Sequence, residues 1–514
     1  MKNTTKLLLA AVMVASAIIF FAAAFSTEGN LLKAAVMVAS LVFCGLYLQK
    51  VTGAPGKYGI VMLRGRNGLQ QMKELGDRYP ELFRQASDFG LTISFGIPYA
   101  FLTFWQSGRK KAFVAHAVLA AAFFYWFSTQ PLVTPNSWVN SLLLPASLLL
   151  GFVGFGLLTL FSSVLSILAS KAAQSVVTPL VPGITVPWEA ILSIIIVASV
   201  HELAHGVMAR IEKIKITSSG VVLWGFIPVA AFVEPDEEKL AKANIWKKRR
   251  VLIAGSASNF YFFLIFLVVT IAFSQLLLPQ MVASVALSIP ANSTLQGVLQ
   301  QGTVETFNGQ RLSLSSQAIG AYQSGKPASM VVDGKNYEVT PIDLVVQGTE
   351  EGSPAAGALQ EGDTILQAGG QAIYSSEGLR QAIVDAKGGT LQLVVQRSGS
   401  RKNISLSLGG QEKIGVRLTQ KPAFLLQDIP RSEWAWLYGF ALLVGGVLAL
   451  TAVLSLALAV INVLPIFITD GHRLLQDELA EAFGSRVAAH GSLIVGGFTL
   501  LLLLINLARW FKLF

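Results

Sequence analysis

Apolar runs dominate the chain and set its plan. Nine stretches are candidate membrane spans: 6–24, 32–48, 90–106, 112–128, 140–168, 188–210, 251–278, 436–464 and 490–512. About 18 consecutive apolar residues suffice to cross the hydrocarbon core. The 140–168 run is longer than that and predicts a strong tilt or a break. The first run follows Lys2 and Lys6 and ends in Ala22-Ala23-Ala24, a pattern that also suits a signal peptide. A first membrane helix is the preferred reading, because the run is long for a signal core and a second span follows at once. Ala10–Ser16 and Ala34–Ser40 share the string AAVMVAS, so these two spans read as a local duplication.

Polar patterning takes over at 279–435, where Gly, Gln, Ser and charged residues predict a soluble insert. An internal repeat divides it. Gly297–Gly302 (GVLQQG) is echoed by Gly357–Gly362 (GALQEG), and Asn308-Gly309-Gln310 by Gly369-Gly370-Gln371, with a helix expected after each. The second copy runs from Ser353 through the Gly362-Asp363 turn to Leu366, with strands expected at 390–397 and 402–408. It resembles a PDZ domain. The first copy is degenerate and has Thr303 where the second has Asp363. The expectation is a tandem of PDZ-like domains at 284–343 and 344–420; a generic pair of small sheet modules is the alternative.

Composition agrees with this plan. The 514 residues are 53% hydrophobic and 13% charged, against about 25% charged in a typical soluble chain. The expected fold class is therefore a polytopic α-helical membrane protein with an inserted soluble region of two PDZ-like α+β domains. The net charge of +10 sits largely in short loops beside spans, which points to membrane orientation and away from nucleic acid. The 210–250 loop carries Arg210, Lys213, Lys215, Lys239, Lys242 and the run Lys247-Lys248-Arg249-Arg250. Read as cytoplasmic, it places 279–435 outside and the segment after Asp470 inside. The same count puts Arg109-Lys110-Lys111 outside, against the rule. The single cysteine, Cys44, excludes an intrachain disulfide and leaves any metal site to other ligands.

The chemistry concentrates at His201-Glu202-Leu203-Ala204-His205, an H-E-x-x-H pattern at the end of an apolar run. On a helix, residues four apart share a face, so both imidazoles can reach one metal while Glu202 serves as general base. Ionisable groups at membrane depth are costly unless they are functional. A catalytic zinc takes three protein ligands and keeps a fourth position open. The best third candidate is Asp470 in Asn462-Val-Leu-Pro465-Ile-Phe-Ile-Thr-Asp470-Gly471, where Pro465 ends a long span and allows irregular backbone to line a site. His472 is a rival ligand, and His116 and His490 read as structural.

These elements together resemble the site-2 proteases, the intramembrane zinc metalloproteases. The match rests on His201–Gly206, on the Asn462-x-x-Pro465 before Asp470-Gly471, on PDZ-like domains between the two motifs, and on Gly255-Ser-Ala-Ser-Asn259, which is similar to the family's G-x-x-x-N. The basic segment at 57–90, with Leu63-Arg-Gly-Arg-Asn-Gly-Leu69, is similar to archaeal members. Thr469 stands where the family usually has Leu.

The resemblance implies a protease core in two parts, 188–278 and 430–514, preceded by N-terminal helices and a basic cytoplasmic loop in 1–187. It implies one zinc held by His201, His205 and Asp470, water activation by Glu202, and Asn259 and Asn462 beside the substrate backbone or oxyanion. Helix–helix hydrogen bonds are the alternative for both asparagines. The apolar stretch 219–234, interrupted by Gly225 and Pro228, predicts a membrane-embedded hairpin, with a short re-entrant loop that only covers the site as the alternative. Gly220, Val221, Val222 and Leu223 would pair there with an unwound substrate by strand addition. The expected activity is hydrolysis of peptide bonds in or near membrane-spanning segments, as in regulated intramembrane proteolysis. The partners implied are transmembrane substrates, the bilayer, and peptide or substrate ends at the PDZ-like domains. The competing expectations are a membrane-anchored zinc protease acting on soluble or misfolded chains, and a non-catalytic PDZ scaffold.

Overall fold

The computed structural model describes residues 3–24, 26, 30–65, 68–129, 137–169, 175–180, 182–183, 185–290, 293–295, 299, 301–386, 388–411 and 413–511. Lys2, Arg66, Asn67, Lys512 and positions 297, 298 and 300 of the first repeat copy lie outside the described residues. The chain divides into two compact units: Met1–Thr270 with Leu443–Phe514, and Ile271–Leu442.

The first unit opens with α1 (Asn3–Ala24) and α2 (Asn30–Thr52), then β1 (Gly56–Lys57), β2 (Ile60–Gly65), α3 (Leu69–Arg78), α4 (Pro80–Ala100, continued by a wider helical turn over Phe101–Trp105), α5 (Lys110–Ser128) and α6 (Ser137–Ala169). Next come α7 (Ala190–Ile211), the hairpin β3 (Ile216–Trp224) and β4 (Ile227–Pro235), α8 (Glu237–Ala241) and α9 (Ile245–Ala272). Among the described residues, eight helices are long and apolar enough to cross a membrane. The 90–106 segment is not one of them.

The reason lies in α4. Gly96 adopts φ 87 and ψ 178 inside it, and Pro98 cannot donate a backbone hydrogen bond. The chain then turns back on itself. Thr92 Oγ1 and the Phe104 ring both meet His116, at 3.5 Å and at a centroid distance of 5.1 Å, whereas a straight helix would separate residues 92 and 104 by about 18 Å. α6 breaks likewise at Gly151, with φ 60 and ψ −144. A Cβ on Gly154 would lie 2.3 Å from the Ala146 carbonyl oxygen, eight residues earlier. The two breaks cross each other. A Cβ on Gly96 would come within 2.4 Å of the Leu149 oxygen, and one on Gly151 within 2.4 Å of the Ser94 carbonyl carbon, so only glycine fits either position.

An ion-pair network corrects the charge puzzle. Arg250 reaches both Asp88 (2.8 Å) and Glu212 (3.3 Å), and Arg109 reaches Asp88 at 2.5 Å. The end of α7, the start of α9 and the turn before α5 therefore lie on one side. Arg109-Lys110-Lys111 sits with Lys247–Arg250, not opposite to it, because 90–106 enters and leaves on the same side. α5 departs from that side and α7 returns to it, so α6 starts and ends on the far side, as its reversal allows. Fully buried Phe104, Phe124, Phe152 and Phe260 tie α4, α5, α6 and α9 together. Their contacts are largely edge-to-face, as for Phe124 and Phe152 at 5.7 Å.

The hairpin expected at 219–234 belongs to a larger sheet of order β1-β2-β3-β4. In β3, Gly220 pairs with Arg64 on one side and Phe232 on the other, and Val221 pairs with Leu63 and Ala231. Gly220–Leu223 are thus interior, with both edges taken. The expectation that they receive a substrate strand is corrected: among the described residues the open edge of the hairpin is β4.

The second unit contains α10 (Leu278–Met281) and two antiparallel sheets. The first is built from β5 (Val282–Ser288), β6 (Gly302–Phe307), β7 (Gln310–Arg311), β8 (Ala328–Val332) and β9 (Lys335–Val339), with the short helix α11 (Ile319–Ser324). The second has β10 (Ile342–Thr349), β11 (Thr364–Ala368), β12 (Gln371–Ala372), β13 (Thr390–Arg397), β14 (Ser400–Ser407) and β15 (Val416–Pro422), with α12 (Ser376–Asp385). A last strand, β16 (Leu425–Pro430), returns to pair with β5, for example Leu426 with Leu287. The first sheet therefore draws its edge strand from beyond the expected 284–343 boundary. In the second, Asp363 is 1% exposed and takes Arg397 bonds at 2.7 and 2.6 Å and the Gln360 N–H at 2.9 Å. Burial opposes its charge, but the Arg397 guanidinium and the Gln360 amide hold the carboxyl below the usual aspartate range. The chain finishes in α13 (Ala435–Val463), α14 (Asp470–Phe483) and α15 (Ser485–Trp510).

Candidate metal centre

α7 presents His201 and His205 one turn apart, with their Nε2 atoms 3.1 Å from each other. Asp470, the first residue of α14, places Oδ2 3.3 Å from His201 Nε2 and 3.1 Å from His205 Nε2. Among the described residues these three form the one cluster of metal-capable groups. The near-equilateral triangle fits the group it would hold. Tetrahedral zinc with bonds of 2.0–2.1 Å sets its ligand atoms about 3.3 Å apart.

The second coordination layer fits as well. His205 Nδ1 meets the Val251 carbonyl at 2.7 Å. Donation there puts the proton on Nδ1 and leaves the Nε2 lone pair free. His201 Nδ1 lies 3.0 Å from the side-chain amide of Asn259, which is fully buried. With Nδ2 toward the ring, Asn259 Oδ1 has no partner. With the amide turned over, Oδ1 accepts from Nδ1–H and His201 Nε2 is likewise freed for a metal. Gly255, one turn before Asn259 on α9, supplies the space: a Cβ there would lie 2.4 Å from His205 Nε2 and 2.5 Å from His201 Nε2. Asn259 thus sits behind His201, buried against the ring, which matches the helix–helix hydrogen bond given above as its alternative. Asn462 is on the open side, with Nδ2 3.3 Å from His201 Nε2.

The loop from α13 to α14 is shaped around Asp470. Thr469 caps α14: its Oγ1 accepts from the His472 N–H at 3.4 Å and donates to the Leu464 carbonyl at 2.5 Å. The residue noticed in the sequence only as a departure from Leu is therefore the cap that orients the Asp470 turn. Gly471 packs so closely that a Cβ would meet the Val463 oxygen at 2.1 Å. His472 is turned away, against Phe467 and Gly496, and stands outside the cluster. His116 packs between Phe89 and Phe104, and His490 bonds the Arg486 carbonyl.

The triad opens onto a cavity of about 480 Å³ whose wall includes Glu202, β4 residues Val229 to Val233, Ile461 and Ile468. Glu202 Oε2 accepts the Val233 N–H at 3.0 Å. Its neighbour carboxylate, Glu234, is committed elsewhere, to the Ser218 hydroxyl and to Arg64 at 2.7 Å. Sequence reasoning missed Val251, whose backbone carbonyl has no residue signature, and the edge status of β4, which depends on a strand 150 residues upstream.

The sequence comparisons fall on this same framework. The model of peptidase family M50 matches residues 189–505, more than half of the chain. A 125-residue stretch is 36% identical to an uncharacterized protein of Methanocaldococcus jannaschii, covering 24% of this chain and 33% of that protein. The chain thus spans about a third of the length of that relative. With the matched region enclosing both metal motifs and the apolar helices that carry them, the chain belongs to peptidase family M50, the site-2 proteases, which are membrane metallopeptidases.

Proposed function

We propose that the protein is a zinc endopeptidase that cuts peptide bonds in or near the membrane-spanning segments of other membrane proteins. The observation that carries this reading is the His201–His205–Asp470 triangle at the base of a cavity walled by apolar helices and an unpaired strand edge. The three ligands would hold zinc, which supplies Lewis acidity toward the scissile carbonyl and lowers the pKa of water to near 7. Glu202 would take a proton from the attacking water and deliver it to the leaving amine. Asn462 can donate its amide to the developing oxyanion.

A helical substrate must unwind, and its freed backbone groups need partners inside the bilayer. β4 offers them. The Val233 N–H points away from β3, and by the two-residue period Ala231 turns its backbone groups the same way, toward the cavity that it lines. The substrate strand adds there. The two sheet modules, read as PDZ-like, then screen substrates by size or hold an exposed peptide end, and the active site works near the cytoplasmic face.

The test is a panel of single-span substrates incubated with the wild-type enzyme and with Glu202→Gln, each with zinc content measured. The proposal expects cleavage within or beside the span by wild type, and loss of about 10²-fold or more in the variant at unchanged zinc. Equal turnover by the variant would defeat the base assignment. Cleavage confined to soluble chains would defeat the substrate class.

A further inference from the structure

We propose that the ion pairs Lys248–Asp477 and Arg249–Glu478, braced by Tyr99, set the position of the Asp470 carboxylate and thereby how tightly the centre holds its metal. This inference rests on the reading of Asp470 as a ligand.

α9 is the frame behind both imidazoles, through the Val251 carbonyl, Gly255 and Asn259. α14 carries the third ligand at its first residue. A helix held only at its tip can slide or pivot. α14 is also held two turns farther along: Lys248 Nζ donates to Asp477 Oδ1 at 3.0 Å, and Arg249 makes a two-point contact with Glu478 at 2.6 and 2.7 Å. Asp477 and Glu478 lie about 10–12 Å along α14 from Asp470. Lys248 and Arg249 lie a similar distance along α9 from Gly255. The two helices are thus registered at the metal level and again about two turns away.

The four side chains are largely withdrawn from solvent, with Arg249 only 11% exposed, and the two-point geometry adds direction to attraction. Tyr99 donates to Glu478 Oε1 at 2.8 Å. Tyr99 belongs to the returning part of α4, outside the family-matched residues, so an N-terminal addition braces the core. The Lys-Lys-Arg-Arg run is turned inward throughout: Lys247 donates to the Glu212 carbonyl at 3.2 Å, and Arg250 pairs with Asp88 and Glu212. The guanidiniums of Arg109, Arg249 and Arg250 also stack within 5.9 Å of the Trp246 ring, which fixes their heads.

The experiment measures zinc affinity of the purified full chain by competition with a chromogenic chelator, with thermal stability recorded in parallel. Tyr99→Phe removes one hydroxyl and should weaken zinc about threefold. Glu478→Gln or Arg249→Glu should weaken it about tenfold, more than Tyr99→Phe does, because each removes a charged two-point contact. The double swap Arg249→Glu with Glu478→Arg should recover most of that loss. At saturating zinc, kcat should return toward the wild-type value with KM unchanged. Wild-type zinc affinity in Tyr99→Phe and Glu478→Gln, alongside strong loss in Asp470→Asn, would overturn the inference and leave the ligand reading intact. Wild-type affinity in Asp470→Asn would overturn both.

Discussion

Glu202 and Val233 are joined by a hydrogen bond of 3.0 Å from a strand-edge N–H to a carboxylate oxygen. It ties the proposed proton carrier to the strand proposed to hold the substrate, and it shows which way the β4 backbone faces. Ala231, two residues earlier, directs its N–H to the same open edge. Ala231→Pro removes that donor without touching the β3 ladder. Proline is tolerated at sheet edges, so the variant should fold and bind zinc normally while cleavage of a membrane-spanning substrate falls about tenfold. Parallel zinc and turnover assays check this.

Gly255 makes a second prediction. The 2.4–2.5 Å clearance to both imidazoles leaves no room for a methyl group. Gly255→Ala should lower zinc affinity by about 1–3 kcal/mol, roughly five- to 150-fold, with little change in the second unit. Chelator competition reads the first effect, and hydrogen exchange over 342–422 reads the second.

The metal motifs were legible because their chemistry is local: His201 and His205 share a helix face, and Pro465 marks where the chain must leave the helix before Asp470. What depended on distant backbone was not. Hydropathy saw 90–106 as a span because it counts apolar residues and ignores the reversal that Gly96 permits. Gly220–Leu223 looked like a pairing surface because nothing in 219–234 shows that 60–65 has already taken that edge. The strand at 425–430 closes the first sheet from the far end of the insert, and no local pattern announces it. The basic run 247–250 reads in the sequence only as a charge signal beside a span, and its partners Asp88, Glu212, Asp477 and Glu478 are visible only in three dimensions.

The shared ion-pair network predicts sidedness. In a Cys44→Ser background, single cysteines at Ser107 and Asn244, both exposed, should react with an impermeant thiol reagent from the same side of oriented vesicles. Labelling from opposite sides would restore 90–106 as a span.

Asp363 predicts an acid response in the second unit. Its carboxyl titrates lower in the fold than in the unfolded chain. Its contribution is therefore complete above the unfolded value of about 3.9 and is lost as pH falls through the lower folded value. The opening free energy at Thr364–Ala368, read from hydrogen exchange corrected for the pH dependence of the intrinsic rate, should stay flat from pH 8 to about 5 and fall only below about 4. Arg397→Met leaves the buried carboxylate unpaired and should cost that module about 3 kcal/mol at neutral pH, read by the same exchange experiment.

The most direct test of the account is zinc content together with zinc-edge X-ray absorption of the purified chain. The account predicts one zinc per chain, with two imidazole nitrogens and carboxylate oxygen at about 2.0–2.1 Å, and no zinc in His205→Ala. A chain without stoichiometric zinc, or a zinc lacking imidazole scattering, would contradict it.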